Sequence, residues 1–506
     1  MSVQTIRKIE QLSEHRAKKT SSATNTLPSF RLAPLAAPQA LSNTQHPLRL
    51  FIASDAIAVV ISFVMAWLLA MVTNRFVFGN SFPALFSLEQ STHAVNFFVI
   101  GMGLMLWFGH RGHYRNRLPF WTEIQQIATA SGFCMLLDSF VQLATRQDPS
   151  RLLLVGSWII TGLFIALMRA FVRSQLQRNK QWQVRTLVIG GGQTADDAKA
   201  ALASEPRLGY RIVGQIADFV EHLEDAQGNW TRLCNWYGAD FVLIALDGED
   251  LQKAEDFIAD LTREQVPFAV VPPLRGVPVL GMETQYFFNH DVMLMTRCNR
   301  LESFLPRFVK RSFDVLVSGS ALLALSPLFM FVALMIKRDG GSAFYSDRRI
   351  GVDGRVFGCL KFRSMIVNSK RILEDHLAAS PEAAAEWAAT QKLKNDPRVT
   401  SIGKFIRKTS VDELPQLINV LKGDMSLVGP RPVNMPEIAR YGRDATFYQR
   451  VRPGITGLWQ VSGRNDVTYE RRVQLDRWYV RNWSLWTDIA ILFKTVPVLL
   501  FRKGAY

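Results

Sequence analysis

Five apolar runs, at residues 50–72, 93–109, 121–145, 152–172 and 312–336, constrain this chain more than any other feature. A helix needs roughly 20 apolar residues to cross a bilayer, so the first and fourth runs suffice outright. The second is short, and Glu123 and Asp138 weaken the third. An acid at membrane depth is costly, so Asp138 needs a neighbouring helix to pack against or a place near an edge.

Flanking charge sets the topology. Arg111, Arg115 and Arg117 separate the second and third runs, and Arg169, Arg173, Arg178 and Lys180 follow the fourth. Residues 1–48 are polar and basic, rich in Ser, Thr, Ala and Pro, without the apolar core of a cleavable signal peptide. The pattern predicts a flexible tail over 1–48, an inside N-terminus and four spans over 49–175 that return the chain to the cytoplasm.

The fifth run behaves differently, because Ser326-Pro327 sits near its middle. Proline removes one helical hydrogen bond and clashes one turn back. Lys310 and Arg311 precede the run, and Lys337 and Arg338 follow it. A proline-kinked span would export everything beyond, a region with 29 Lys and Arg against 17 Asp and Glu from Lys337 onward. A re-entrant helix over 312–336, broken at Ser326 and Pro327, keeps both basic pairs inside.

With 506 residues the chain exceeds one compact domain, and its formal net charge is +16. A basic protein can serve nucleic acid, anionic lipid or phosphate-rich small molecules. The apolar runs favour the last two, and no nucleic-acid module is present. Cys134, Cys234, Cys298 and Cys359 are scattered, which suggests reduced thiols and neither a zinc site nor a disulfide framework.

Residues 176–303 change character. "VRTLVIGGGQTA" reads as a buried strand entering a glycine turn, and "RIVGQIAD", "FVLIAL" and "PFAVVPPL" read as further strands between helical stretches. That alternation predicts a parallel α/β unit of Rossmann-like type. Gly190, Gly192 and Ala195 fit G-x-G-x-x-A, and Asp218 ends the second strand where a ribose-binding acid could sit. No Tyr-x-x-x-Lys pair exists, since Tyr210, Tyr237 and Tyr286 precede Gly214, Phe241 and His290 by four residues. The reading adopted is a degenerate module that binds no nucleotide.

The remaining residues concentrate phosphate-capable groups: Arg348, Arg349, Lys361, Arg363, Arg407, Lys408, Arg431, Arg452 and Arg464. Arginine's planar fork suits phosphate oxygens, so a diphosphate substrate is expected. No histidine follows His376, so carboxylates, lysines or hydroxyls must do the chemistry. That directs attention to Asp412-Glu413 in "KTSVDELPQLINVLKGDMSLVGPRP". A capping box from Ser410 is disfavoured by Pro415, and a helix start near Leu414-Pro415 leaves both acids at the positive helix end. An ionised Asp412 beside a phosphate, with a divalent cation bridging the negative charges, can attack phosphorus to give an acyl phosphate. "VRPGITGLWQVSGRND" reads as a mobile binding loop, and Leu485, Ile489, Leu492, Phe493 and Val496 as one helical face for the core or the membrane interface.

"KRSFDVLVSG…SP", "KFRSM", "RKTSVDELPQLINVLKGDMSLVGPRP" and "RPGITGLWQVSGRND" resemble the bacterial polyprenyl-phosphate sugar-phosphate transferases, the monotopic phosphoglycosyl transferases, over roughly 304–506. The front of the chain is similar to the large members, and "RDGG", "GLWQVSGRND" and "WYVRNWSLWTDIAILFKT…GAY" are most like the undecaprenyl-phosphate galactose phosphotransferases. The resemblance implies a four-helix transmembrane bundle, the Rossmann-like cytosolic module and a C-terminal phosphoglycosyl transferase domain at a bacterial inner membrane, facing the cytoplasm.

It also implies a ping-pong reaction. Asp412 attacks the β-phosphate of a UDP-sugar, UMP leaves, and undecaprenyl phosphate takes the sugar phosphate, priming O-antigen, capsule or exopolysaccharide assembly. Glu413 assists, and Mg2+ bridges Asp412 to the diphosphate. Lys361, Arg363, Ser364, Arg407, Arg431, Arg464 and Asn465 hold phosphates or nucleotide, while Lys310, Arg311 and Asp314 anchor the re-entrant helix near the polyprenyl phosphate. Galactose is the expected sugar, with glucose its competitor. The alternatives are a membrane-tethered nucleotide-sugar dehydratase using NAD and a non-enzymatic assembly scaffold. Two apolar interfaces are compatible with a homodimer, although nothing in the sequence counts subunits.

Overall fold

The computed structural model describes residues 45–79, 88–145, 150–217, 230–248, 250, 254–274, 282–286, 293–297, 304–338, 340–390, 393, 396–463 and 467–501. The chain divides into two compact units, Met1–Val271 and Pro272–Tyr506. Among the described residues, five helices are long and apolar enough to cross a membrane, and they match the five apolar runs.

Four of them form a bundle in the first unit: α1 Gln45–Val77, α2 Leu88–His110, α3 Phe120–Ala144 and α4 Arg151–Arg178. Ser150 caps α4 by accepting a hydrogen bond from the Leu153 N–H. Phe63, Phe97 and Trp158 fill the bundle centre, with the Phe97 and Trp158 rings 4.7 Å apart. Val99, Leu106, Phe133 and Phe140 remain exposed on the outside, as a lipid-facing surface requires.

The bundle's charges are paired internally. The Arg169 guanidinium donates to both Asp55 oxygens, and Arg173 donates to both Glu123 oxygens. Asp138 accepts from Trp158 Nε1 at 2.9 Å and from Gln142 Nε2 at 2.8 Å. Arg169 and Arg173 are therefore buried ion-pair partners and not the free flanking charges the sequence suggested. The reason is that α4 runs on to Arg178, enclosing both within the bundle.

The same unit holds a parallel sheet of β1 Val184–Ile189, β2 Tyr210–Ile216, β3 Phe241–Ile244 and β4 Phe268–Val270, in the order β2-β1-β3-β4. Helices α5 Gly192–Ser204, α6 Trp230–Tyr237 and α7 Glu255–Arg263 accompany it. The predicted strands are all present. Arg117, between α2 and α3, stacks on Trp182 at 4.1 Å and donates to the Trp182 and Leu208 carbonyls, tying the module to the bundle. Asp218 lies outside the described residues.

The second unit begins with the antiparallel pair β5 Met282–Tyr286 and β6 Met293–Arg297. The fifth apolar helix, α8 Phe304–Lys337, is continuous and stays helical through Ser326 and Pro327, where the sequence predicted a break; the Ser326 hydroxyl donates to the Leu323 carbonyl within the same turn. Then come the antiparallel β7 Phe344–Ile350 and β8 Val356–Phe362, followed by α9 Ser369–Ala379, α10 Pro381–Thr390, α11 Ser401–Lys408 and α12 Gln416–Lys422. Strands β9 Ser426–Val428 and β10 Gly454–Thr456 pair in parallel. The chain continues as α13 Leu458–Val461, α14 Tyr469–Arg481 and α15 Leu485–Phe501.

The core of this unit joins Leu417, Val420, Met425, Val428, Tyr479, Trp483 and Ile491. Both halves of α8 contribute to the unit: Phe313 and Leu325 meet that core, while Val332 and Ile336 pack with Phe362 and Ile406. Leu316, Leu323, Met330 and Leu334 stay exposed along the helix.

Two local expectations change. Residues 451–463 are a strand and a helical turn, not an open loop, because β10 lies directly against the backbone of the 429–432 turn. A Cβ on Gly454 would stand 2.1 Å from Gly429 N, and one on Gly457 would stand 2.2 Å from Gly429 O, so only glycine permits this approach. On α15 the buried side is set by Asp488 and Ile491, while Phe493 and Val496 face outward, splitting the single face expected from the sequence.

Candidate active site

The pair Asp412-Glu413 lies in a single 3-10 turn, Val411–Glu413. Ser410 enters it with φ 57°, making no side-chain cap. Pro415 then precedes α12 directly with φ −59°. Proline fits this place because its missing N–H is not needed at a helix start. Both acids thus stand at the N-terminal end of α12, as the Asp-Glu-Leu-Pro order predicted.

Two elements, β8 and α11, bring cations toward the turn. Lys361, from β8, sets its Nζ 2.7 Å from Glu413 Oε1. Arg407, from α11, donates through Nε to Ser364 Oγ at 2.9 Å. Among the described residues, Asp412 has no ion pair. Burial pushes its carboxyl up to about 6, helped by the neighbouring Glu413 charge, while Lys361 and Arg407 pull it down. Ionised at neutral pH, yet more basic than an exposed aspartate, it suits a nucleophile. A cavity of about 160 Å³ opens beside the turn, lined by Ser410, Glu413, Ile455, Gln460, Thr495 and Val498.

Arg431 comes from the turn between its two prolines and is exposed at residue level, with its guanidinium 5.6 Å from the Trp459 ring centroid. Desolvation of the guanidinium holds its pKa below the usual arginine value, and the nearby Arg472 acts in the same direction. Arg349 steadies this turn by donating to the Pro432 carbonyl and to Glu437.

The other expected ligands are distributed differently. Arg363 donates to the Ile336 carbonyl at 3.2 Å, at the C-terminal end of α8. Lys310 Nζ lies 2.6 Å from Asp488 and 3.4 Å from Asp314, and it donates to the Val428 carbonyl. Asp314 accepts from the Leu427 N–H, and Arg311 donates to the Val420 and Leu421 carbonyls that end α12. These three therefore fasten α8 to β9 and α12. Ser326 Oγ donates to Leu323 O one turn before Pro327. Arg464 and Asn465 lie outside the described residues.

The sequence reading missed Asp488, which accepts from Lys310, Tyr479 and Trp483 while fully buried. Its only sequence signal was an acid amid apolar residues at Leu485–Leu492.

The glycine turn of the α/β module can be judged by its surroundings. A Cβ on Gly192 (φ +75°) would stand 2.5 Å from Asp247 Oδ2, and the Thr194 hydroxyl donates to the same carboxylate. A negative side chain thus occupies the place at the start of α5 where a pyrophosphate would rest. The residues present do not fit a dinucleotide phosphate there.

Residues 305–502 match the family described as Bacterial sugar transferase, and residues 110–272 match one described as CoA-binding domain. The chain is 43% identical over 412 residues to a UDP-galactose-lipid carrier transferase of Erwinia amylovora, covering 79% of this chain and 86% of that one. It is 41% identical over 429 residues to an undecaprenyl-phosphate galactose phosphotransferase of Salmonella typhimurium, covering 83% and 90% respectively. The chain belongs to the bacterial sugar transferase family.

This sugar transferase is also 30% identical over 432 residues to a UDP-glucose:undecaprenyl-phosphate glucose-1-phosphate transferase of Escherichia coli, covering 76% of this chain and 86% of the other. The CoA-binding match spans the module in which Asp247, after β3, lies against the glycine turn. In the transferase domain, no group of three His, Cys, Asp or Glu that could hold a metal ion occurs among the described residues, so a divalent cation would rest on fewer protein ligands. Magnesium takes one or two carboxylates and completes its shell with substrate phosphates and water. Asp412, without an ion pair among the described residues, offers one such carboxylate.

Proposed function

We propose that this sugar transferase moves galactose 1-phosphate from UDP-galactose to undecaprenyl phosphate, releasing UMP, through a covalent intermediate on Asp412. The observation that carries the reading is the half-buried Asp412 beside the Lys361–Glu413 pair, at the start of α12, with Arg407 and Arg431 supplied by separate elements. An Asp412 oxygen attacks the β-phosphorus, and the bond from that phosphorus to the UMP oxygen breaks. UMP carries away the electron pair, leaving a sugar-phosphoryl aspartate. A phosphate oxygen of undecaprenyl phosphate then attacks the same phosphorus, and the acyl-phosphate bond breaks to return the carboxylate. Bound Mg2+ would neutralise charge between Asp412 and the diphosphate. Glu413, held by Lys361, orients the incoming group, and Arg407 and Arg431 offset phosphate charge.

The names of relatives support the two substrates and galactose, while one relative is named for glucose. The product is a lipid diphosphate sugar, the starting unit for polysaccharide assembly at a bacterial inner membrane. The catalytic domain faces the cytoplasm in this reading, and α8 re-enters on the side it left. A 34-residue helix measures about 51 Å, yet its two halves both pack on the second unit, which supports a helix lying in one leaflet.

The test is UMP release from UDP-galactose by purified protein with Mg2+ and no lipid, followed by a search for a hexose-phosphate adduct on the Asp412 peptide. A near-stoichiometric burst with the adduct is expected. A burst only with UDP-glucose would change the sugar, and lipid-dependent turnover without any burst would remove Asp412 as the nucleophile.

A further inference from the structure

Next to Arg431 lies a second guanidinium that the proposed reaction leaves unused. Arg472, on α14, is 8% exposed, and its Cζ stands 5.0 Å from the centroid of the Trp459 ring that Arg431 also faces. Two cations thus meet one buried indole. Nε and Nη2 of Arg472 and Nε1 of Trp459 are buried donors with no hydrogen-bond partner among the described residues. Asp476, one turn along α14, accepts instead from Tyr441 at 2.8 Å and forms no ion pair with Arg472 among the described residues. Buried arginines normally carry a carboxylate partner, because desolvating a guanidinium without one is costly.

A phosphate reaching Arg472 would satisfy the two of these donors that share one guanidinium. Nε and Nη2 of Arg472 belong to one planar fork, which suits phosphate oxygens. The position is tied to the reaction through Arg431, whose charge is felt by both Glu413 and Arg472.

We propose that Arg472, Trp459 and Arg431 form one phosphate-binding subsite, with Arg472 a substrate-clamping residue of the transferase. The proposal rests on the transfer reading above for which phosphate enters, the diphosphate of the nucleotide sugar or the monophosphate of the polyprenyl acceptor. The site's existence rests on the geometry alone.

The test compares full-length wild type with Arg472→Gln, Arg472→Lys and the exposed neighbour Arg471→Gln. The first readout is the thermal unfolding midpoint with and without inorganic pyrophosphate. Pyrophosphate should raise the midpoint of wild type and Arg471→Gln, and raise that of Arg472→Gln far less. The second readout is kinetic. Arg472→Gln should raise KM at least about tenfold with a smaller change in kcat, and Arg472→Lys should recover only part, since it restores charge without the fork.

A loss confined to the lipid-free UMP burst would assign the nucleotide diphosphate, and one confined to the lipid-dependent half would assign the polyprenyl phosphate. Undiminished pyrophosphate stabilisation and unchanged KM in Arg472→Gln would overturn the proposal. So would a lower midpoint as its only change, which would make Arg472 a packing residue. If Arg472→Gln does not fold, Arg472→Lys carries the comparison. Pyrophosphate stabilisation needs no turnover, so a wild type that releases no UMP would remove the transfer reading and still leave the subsite tested.

Discussion

Lys361 Nζ lies 2.7 Å from Glu413 Oε1, and this pair leaves two adjacent carboxylates in different surroundings. Glu413 is held by a cation. Asp412, one residue earlier, keeps its carboxylate free of ion pairs among the described residues, with a pKa raised to about 6 by burial. A higher pKa makes a carboxylate a better nucleophile, provided it still ionises at working pH.

Asp412→Asn should therefore lower the UMP burst by about a thousandfold or more, with loss of the hexose-phosphate adduct in peptide mass spectra. Glu413→Gln should cost about 10–100-fold, since it loses orientation and charge but keeps the nucleophile. Equal losses in the two variants would contradict the division of roles.

The pH dependence follows from the same carboxyl. Burst rate should fall as pH drops through about 6, where Asp412 takes up its proton. Stability runs the other way. The folded pKa is raised, so ionising Asp412 costs stability as pH rises from about 4 through 6. Asp412→Asn should then be more stable than wild type by about 1 kcal/mol at pH 8, with the gap closing below pH 4. Thermal melts at both pH values check this.

Lys361 lowers the Asp412 pKa, so Lys361→Met should move the midpoint of the rate–pH profile above 6 and slow the burst at neutral pH. A midpoint that stays in place would mean that the cation acts only on Glu413.

Lys310 joins α8 to α15 through a fully buried Asp488. Lys310→Met leaves that carboxylate without its cation and should destabilise the second unit by about 3–5 kcal/mol. Lys310→Met combined with Asp488→Leu should recover part of the loss, and denaturant melts of Lys310→Met, Asp488→Leu and the double variant, against wild type, measure the coupling.

Both ends of α8 should lie on one side of the membrane. Arg307→Cys and Arg338→Cys, each in a background whose native cysteines do not label, should react with an impermeant maleimide only from the cytoplasmic face. Labelling from opposite faces would make α8 a span.

Much of this was legible in one dimension. Apolar run length marked five helices, alternation marked the parallel sheet, and the Asp-Glu-Leu-Pro order placed two acids before a helix. These are properties of neighbours along the chain, set by the rise and period of each element. Which charges are free is a different matter. Arg169 and Asp55 pair across 114 positions, and Lys310 reaches the Val428 carbonyl across 118. A basic residue reads the same in sequence whether it binds substrate or serves another segment. Burial and pairing decide that, and both depend on which distant segments pack together. Hence the sequence by itself determined the elements and the place of the Asp412-Glu413 pair before a helix, while only the tertiary structure assigned Lys310 and Arg311 to the scaffold and left Arg472 buried near Trp459 with donors to spare.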